Sequence, residues 1–476
     1  MKTSIRLLLL GAITGLLFAC SESPQTGDEL SGVELKKAPV VPVFQVEPNG
    51  VDDTEAILQA FTDAKAAGPG SIVQLSEGEF HLGFIEIHDF CGIFKGAGQG
   101  KTVITAMNNL NSQLLWDQHK IVTLMKFAGG EVKICQMTIQ SPPGKLSVTG
   151  PPQGHIGSFI NFTTYTSTYE LRNDSRSINA AVDHVTFIGQ PLAGAPGRVN
   201  CAYAIHAGWD CWNMTDLPRE KVNLTVTNSI FDTFYSGIVA EGVKNGQFTV
   251  GLNTRGNLFK NSDYGFGFYQ YRDMEVVVEG NTFDMNPGGT YGIELHDGYD
   301  SYYPFFRAET ATVPSTFNIG FNVFNMPRSR YALYINNLRR MSPVLEIPSV
   351  YQVRNNVFFM ENGLGYSRGI TCYRTKGMVI RNNRFTGPGN IGIYLVNDNI
   401  EGLILGNNFS ETEFSSSAVY LHSTTKNWAV VGGDIIDRVI NNGTGNVITG
   451  MTVSTSDVSL GEMISDDLPE MNHIMH

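Results

Sequence analysis

Four residues within one short stretch could do chemistry. Residues 291–300 read YGIELHDGYD, which sets Glu294, His296, Asp297 and Asp300 within seven positions. Strand side chains alternate, so Glu294 and His296 would leave the same face of a strand. A carboxylate beside an imidazole can hold a hydroxyl group or pass a proton. Upstream, Glu241, Tyr269 and Arg272 occupy comparable stretches and would add a second carboxylate, a phenol and a cation. Whether these groups meet depends on the elements that carry them.

Those elements repeat. An x-Asn-x-Phe unit recurs as GNLF (256–259), GNTF (280–283), FNVF (321–324), NNVF (355–358), NNRF (382–385) and GNNF (406–409). NSIF (228–231) keeps the Phe but carries Ser229 at the Asn position. After each Phe comes a second strand-like run, among them YAIHAG (203–208), SGIVAE (236–241), YGFGFY (264–269), YGIELH (291–296), YALYIN (331–336), RGITCY (368–373), IGIYLV (391–396) and SAVYLH (417–422). A third run precedes the Asn. Three short strands per repeat with no helical period predict one coil of a parallel β-helix. Stacked coils would bring the asparagines into a hydrogen-bonded ladder and the phenylalanines into an inward stack. Residues 52–68 predict a capping helix, with an Asp at its start, apolar Ala56, Ile57, Ala60, Phe61 and Ala64, and Gly68-Pro69 as its stop. Such a cap would shield the first open sheet edge.

Composition agrees. The chain has 476 residues, of which only 16% are charged and 51 are Gly, a balance that favours strands and turns. A net charge of −12 disfavours nucleic acid as a partner. Lys2 and Arg6 precede the apolar run 7–18, and LFAC (17–20) resembles a bacterial lipobox. Residues 1–20 therefore read as a lipoprotein-type signal peptide with Cys20 the lipidated residue. Residues 21–42 read as a flexible tether, 43–455 as the β-helix and 456–476 as a C-terminal tail. This reading puts the protein outside the cytoplasm, anchored by lipid to a bacterial membrane, with the cell surface among the locations open to it. A capped solenoid is expected to be monomeric. Cys201 and Cys211 could bridge in an oxidising compartment.

NGVDDTEAILQAF, GSIVQLSEGEFHL and FKGAGQGKTVI, together with the Asn-Phe repeat, resemble the pectate-lyase-like right-handed parallel β-helix proteins. The resemblance spans about residues 43 to 455. It implies an all-β, single-stranded right-handed solenoid with a short N-terminal capping helix. That superfamily contains polysaccharide lyases, glycoside hydrolases, epimerases and non-catalytic adhesins, so the resemblance narrows fold more than activity. The polygalacturonase-type signatures are missing as an ordered set. GAGQGKT (96–102) is no phosphate loop, because Lys95 stands where its first Gly must be. His81 with His88, and His473 with His476, match no metal-ligand spacing.

Alignment of the second strands at Ile205, Ile238, Phe266, Ile293, Leu333, Ile370, Ile393 and Val419 gives two outward columns. One reads His206, Val239, Gly267, Glu294, Tyr334, Thr371, Tyr394, Tyr420. The other reads Gly208, Glu241, Tyr269, His296, Asn336, Tyr373, Val396, His422. Aromatic rings there suit the apolar faces of sugars, so a polysaccharide partner is expected on His206, Trp209, Asp297, Tyr334, Tyr373, Tyr394 and Tyr420. A lyase on a uronic-acid polymer would use His296 or Tyr269 as acid or base and Arg272 to neutralise the carboxylate. Glu241 and Glu294 would be candidates to hold Ca²⁺, with no other cofactor indicated. A hydrolase needs two carboxyl groups about 5–10 Å apart. Glu241 and Glu294 would stand roughly 12 Å apart unless Asp297 substitutes. The lyase or epimerase reading leads slightly. A binding-only adhesin and a glycoside hydrolase remain alternatives.

Overall fold

The computed structural model describes residues 41–107, 123–143, 156–164, 177–191, 201–208, 220–241, 248–269, 274–285, 291–297, 315–326, 331–337, 349–361, 367–432, 438–450 and 452–454. Cys20 and the signal-like segment lie outside them. Within them the chain forms 34 strands and one helix. Strand pairs run parallel along the whole length, from the first at Val43–Val46 to the last at Thr452–Ser454. The fold is the right-handed parallel β-helix that the repeat predicts.

One coil consists of Phe248–Arg255, Leu258–Lys260 and Tyr264–Tyr269. Its successor consists of Glu275–Glu279, Thr282–Asp284 and Tyr291–Asp297. Each strand pairs with its counterpart one coil on: Leu252 with Val276, Phe259 with Phe283, and Phe266 with Ile293. We call the three resulting faces sheet I (before the Asn), sheet II (the short strands carrying the Phe) and sheet III (the strands that begin near Tyr-Gly).

Between sheets I and II runs the asparagine ladder. The Nδ2 of Asn257 donates to Oδ1 of Asn281 at 2.9 Å, and the same bond links Asn281 to Asn322, Asn322 to Asn356, Asn356 to Asn383 and Asn383 to Asn407 at 2.9–3.1 Å. The same oxygen also accepts the backbone N–H of the preceding asparagine, as Asn322 Oδ1 does from Asn281 at 3.0 Å. The second Nδ2 proton goes to a sheet I carbonyl, for Asn322 that of Val278 at 2.8 Å. Every buried polar atom of the amide is thereby used. At the head of the ladder, Ser229 has no amide. It donates its backbone N–H to Asn257 and turns its hydroxyl to the Thr227 carbonyl.

Two residues on, the phenylalanines stack as expected. Rings of Phe187, Phe231, Phe259, Phe283, Phe324, Phe358, Phe385 and Phe409 follow one another at 4.5–5.1 Å, within 15° of parallel. This stack explains the Gly in the Tyr-Gly start of sheet III. A Cβ on Gly265 would lie 2.5 Å from the Phe283 ring, and one on Gly369 would lie 2.5 Å from Phe385. From 237 to 418 this position is held by Gly, or by Ala at 332 and 418.

The predicted cap is present as Thr54–Ala67. Ile57, Ala60, Phe61 and Ala64 are buried, while Ala56 faces solvent, one position outside the apolar stripe. Phe61 meets the rings of Phe90, Phe94 and Phe127 at 4.9, 5.1 and 5.9 Å and so closes the end of the core. Asp53 is the N-cap residue, yet its carboxylate does not cap the helix. It accepts instead from the backbone N–H groups of Asn49 and His81, both at 2.8 Å, and ties the helix to the first coil.

Replacing Asn322 with Ala strands the Asn281 backbone N–H and the Val278 carbonyl in the interior. Each unsatisfied group costs about 1–3 kcal/mol, so Asn322→Ala should lose about 3 kcal/mol or more, measured by denaturant unfolding against wild type.

Candidate functional site

Sheet III carries the expected columns in register. His206 pairs with Val239, Val239 with Gly267, Gly267 with Glu294, Glu294 with Tyr334, Tyr334 with Thr371, Thr371 with Tyr394 and Tyr394 with Tyr420. The column continues backwards through Asn161, Lys126 and Glu86. In the second column Glu241, Tyr269 and His296 occupy three successive strands, followed by Asn336 and Tyr373. The inward set from Ile205 to Val419 is completely buried.

The outward face is not the open ridge that alternation suggests. Tyr334, Tyr373, Tyr394 and Tyr420 keep only 2–5% of their surface exposed. They form a second apolar layer outside the sheet with Tyr264, Tyr291 and Tyr331. Tyr291 stacks on Tyr331 at 5.3 Å, and Tyr334 lies 5.1–5.5 Å from Tyr291, Tyr331 and Tyr373. The Arg368 guanidinium sits 4.3 Å from the Tyr394 ring centroid and 5.4 Å from that of Tyr331. Alternation fixes which side a residue faces, and nothing in it says what packs against that side. As placed, these four tyrosines are packing residues rather than open sugar platforms.

His206 is also fully buried. Its Nδ1 lies 3.0 Å from Asn161 Nδ2, which also donates to the backbone carbonyls of His206 and Gly208. Tyr203 lies against this imidazole, with ring centroids 6.1 Å apart. The Oδ1 of Asn161 has no hydrogen-bond partner.

Three perturbed groups lie near the start of the sheet III strands, where Tyr235 and Tyr264 feel the charge of Glu294, itself 3% exposed. Rings of Tyr235, Tyr264 and Tyr291 follow one another at 4.8 and 5.1 Å. Burial pushes the Tyr235 phenol up to about 12, and the charges of Glu294 and Asp263 add to the effect against a hydrogen bond from Tyr264. Tyr264 is raised well above its ordinary value, by burial first and then by Glu294 and its tyrosine neighbours. Both phenols therefore stay protonated at neutral pH and are donors, not bases. Burial alone lifts the Asp263 carboxyl to about 6. A carboxyl titrating there can serve as acid or base near neutrality. Backbone bonds fix its place: Asp263 N–H donates to the Phe234 carbonyl and Tyr291 N–H to the Asp263 carbonyl, at 3.1 Å each.

Asp263 is absent from the sequence-derived candidates. Its signal was positional: among the residues immediately before the sheet III starts at 236, 264, 291, 331, 368, 391 and 417, it alone is a carboxylate. The side chains of Glu241, Tyr269, His296 and Asp297, and all of Trp209 and Arg272, lie outside the described residues. So do most of the two long aromatic segments expected as groove walls. Glu241 and Glu294 stand two strands and one column apart, roughly 12 Å between backbones. Among the described residues, no three His, Cys, Asp or Glu side chains converge on one point. Cys201 is a free buried thiol that donates to the Tyr203 carbonyl, and burial raises its pKa; Cys211 lies outside the described residues.

No protein-family profile and no curated sequence matches the chain. Solved structures similar to it include the A-module of a mannuronan C-5 epimerase from Azotobacter vinelandii, with 14% identity, a TM-score of 0.46, and coverage of 85% of this chain and 96% of that one. An exopolygalacturonase from Thermotoga maritima matches with 13% identity, a TM-score of 0.45, and coverage of 87% and 93%. A surface adhesin of Streptococcus pneumoniae matches with 14% identity, a TM-score of 0.45, and coverage of 88% and 94%. These neighbours are β-helix proteins.

Asp263 destabilises the fold at neutral pH. Its folded pKa of about 6 exceeds the unfolded value, so the native state binds the extra proton and stability falls as pH rises from about 4 to 6. Asp263→Asn should therefore stabilise the protein by about 1–3 kcal/mol at pH 7 and by little at pH 4, read from melting temperatures at both pH values.

Proposed function

We propose that this protein binds a polysaccharide along sheet III and processes it by acid–base chemistry. The observation that carries the reading is a half-buried Asp263 carboxyl lifted to about 6 and a Tyr235 phenol that keeps its proton and feels the charges of both Asp263 and Glu294. Ionised Asp263 is the candidate base for a proton next to a carbonyl, and Tyr235 or Tyr264 the candidate donor to a leaving oxygen. Farther along the same strands, past Glu294, Glu241, Tyr269 and His296 occupy the next column, with Arg272 the candidate to neutralise a uronate carboxylate. A chain of sugars laid across the coils would advance by about one strand spacing, 4.8 Å, per coil. His206, Trp209 and Asp297 are then candidate contacts along its path. A lyase or epimerase on a uronic-acid polymer fits this set better than a two-carboxylate hydrolase. We place the protein outside the cytoplasm, tethered through lipid on Cys20.

A second reading is a surface protein that binds glycans without turnover. It is favoured by the tight packing of the outward tyrosines, which makes the C-terminal half of the face scaffold.

Incubation with acidic and neutral polysaccharides separates these readings. Ultraviolet absorbance from an unsaturated sugar marks a lyase. Solvent deuterium at C5 without chain cleavage marks an epimerase, and new reducing ends alone mark a hydrolase. Asp263→Asn should lower turnover by about 10²–10⁴-fold while leaving polymer binding intact. Binding with no turnover on any polymer would support the adhesin.

A further inference from the structure

Among the described residues, the exposed aromatic surface lies along sheet II. Among the described residues the exposed aromatic side chains are Phe321 and Phe359, which keep 53% and 45% of their surface. Phe359 stands in an outward column that is polar on either side: Asp232, Lys260, Asp284, Asn325, Phe359, Thr386. It lines a groove of about 570 Å³ with Asp284, Asn325, Glu361 and the Gly387-Pro388 wall. The wall is fixed, because Gly387 packs so closely on Met360 that a Cβ there would lie 2.1 Å from the Met360 carbonyl oxygen. Across the floor, Asn325 Nδ2 donates to Asp284 Oδ1 at 2.8 Å, which orients an amide and a carboxylate side by side.

Phe321 sits at the turn that leads into the groove strand Val323–Met326. Its φ of 57° is a costly backbone for a bulky residue. The equivalent corners hold Asn228, Gly256, Gly280, Asn355, Asn382 and Gly406, residues that tolerate this conformation. One strained, half-exposed ring thus stands in a column of Asn and Gly. Arg354 lies over its ring at 5.0 Å.

We infer that this face of sheet II is a second glycan-binding site, separate from the sheet III cluster, that takes neutral sugars. An exposed ring in a rigid concavity offers the apolar platform a sugar ring packs on, and the Asp284–Asn325 pair with Glu361 offers acceptors and a donor to neighbouring hydroxyl groups. The sign of the lining selects the ligand. The groove holds two carboxylates and no cation, and nearby Lys260 is paired with Asp232 at 2.9 Å. A uronate or sulfate would be repelled, and a hydroxyl-rich neutral ring would not.

Affinity electrophoresis of the whole protein in gels containing glucomannan, arabinoxylan, mixed-linkage β-glucan or polygalacturonate tests this. At least one neutral polymer should retard the protein. Phe359→Ala should weaken that retardation about tenfold, Phe321→Asn should weaken it less, and Phe359→Trp should preserve it. Phe359 is exposed, so its variants should keep the wild-type melting temperature. The inference fails if no neutral polymer retards the wild type, or if neither Phe359→Ala nor Phe321→Asn weakens retardation. It also fails if sedimentation shows a wild-type dimer that Phe359→Ala dissolves, since the ring would then serve self-association.

Discussion

A primary amide buried away from water must satisfy an oxygen and two N–H groups at once, and here another asparagine one coil away completes the set. That requirement holds the β-helix in register. Asn257 to Asn407 can bond head to tail only when each coil sits directly over the last, so the ladder locks sheets I and II together. The phenylalanine stack follows two residues later, and the small residues that open sheet III follow from the stack. The position of Glu294 beside Tyr334 and Gly267 is the far end of this chain of constraints.

Much of this was legible in the residue order, because a repeat states its own register. The Asn-Phe unit predicted the ladder, and aligning Ile293 with its counterparts placed Glu294, Tyr334, Tyr394 and Tyr420 in one column, where the strand pairing has them. Burial was not legible. Period two says that Tyr334 leaves the sheet on the outer side, but not that Tyr291, Tyr331 and Tyr373 pack around it. Asp263 was missed for the same reason. Its chemistry comes from the loss of water around a turn residue, which no spacing rule records. Asp53 shows a smaller version: its residue type predicts a helix cap, yet the tertiary partners Asn49 and His81 claim its carboxylate.

The molecule thus divides its polar and apolar groups in an unusual way. On sheet III, carboxylates and phenols are held away from solvent, where each charge is costly and responsive to its neighbours. On sheet II, two phenylalanines stand in water. A net charge of −12 sets the background for both faces, and it makes any local recognition of an acidic polymer depend on a few well-placed cations.

The ladder also has a direction. Each asparagine gives its backbone N–H and one amide proton forward to the next rung and its other amide proton back to a carbonyl of the coil behind, and the shortest step between rungs is 24 residues. The molecule can therefore grow or shrink only by whole rungs. Loops between strands may lengthen freely, as the 41-residue step from Asn281 to Asn322 shows. A deletion of a residue or two inside a strand, however, would put every later amide out of step. Length in this protein is counted in coils, and its evolution would run in the same units.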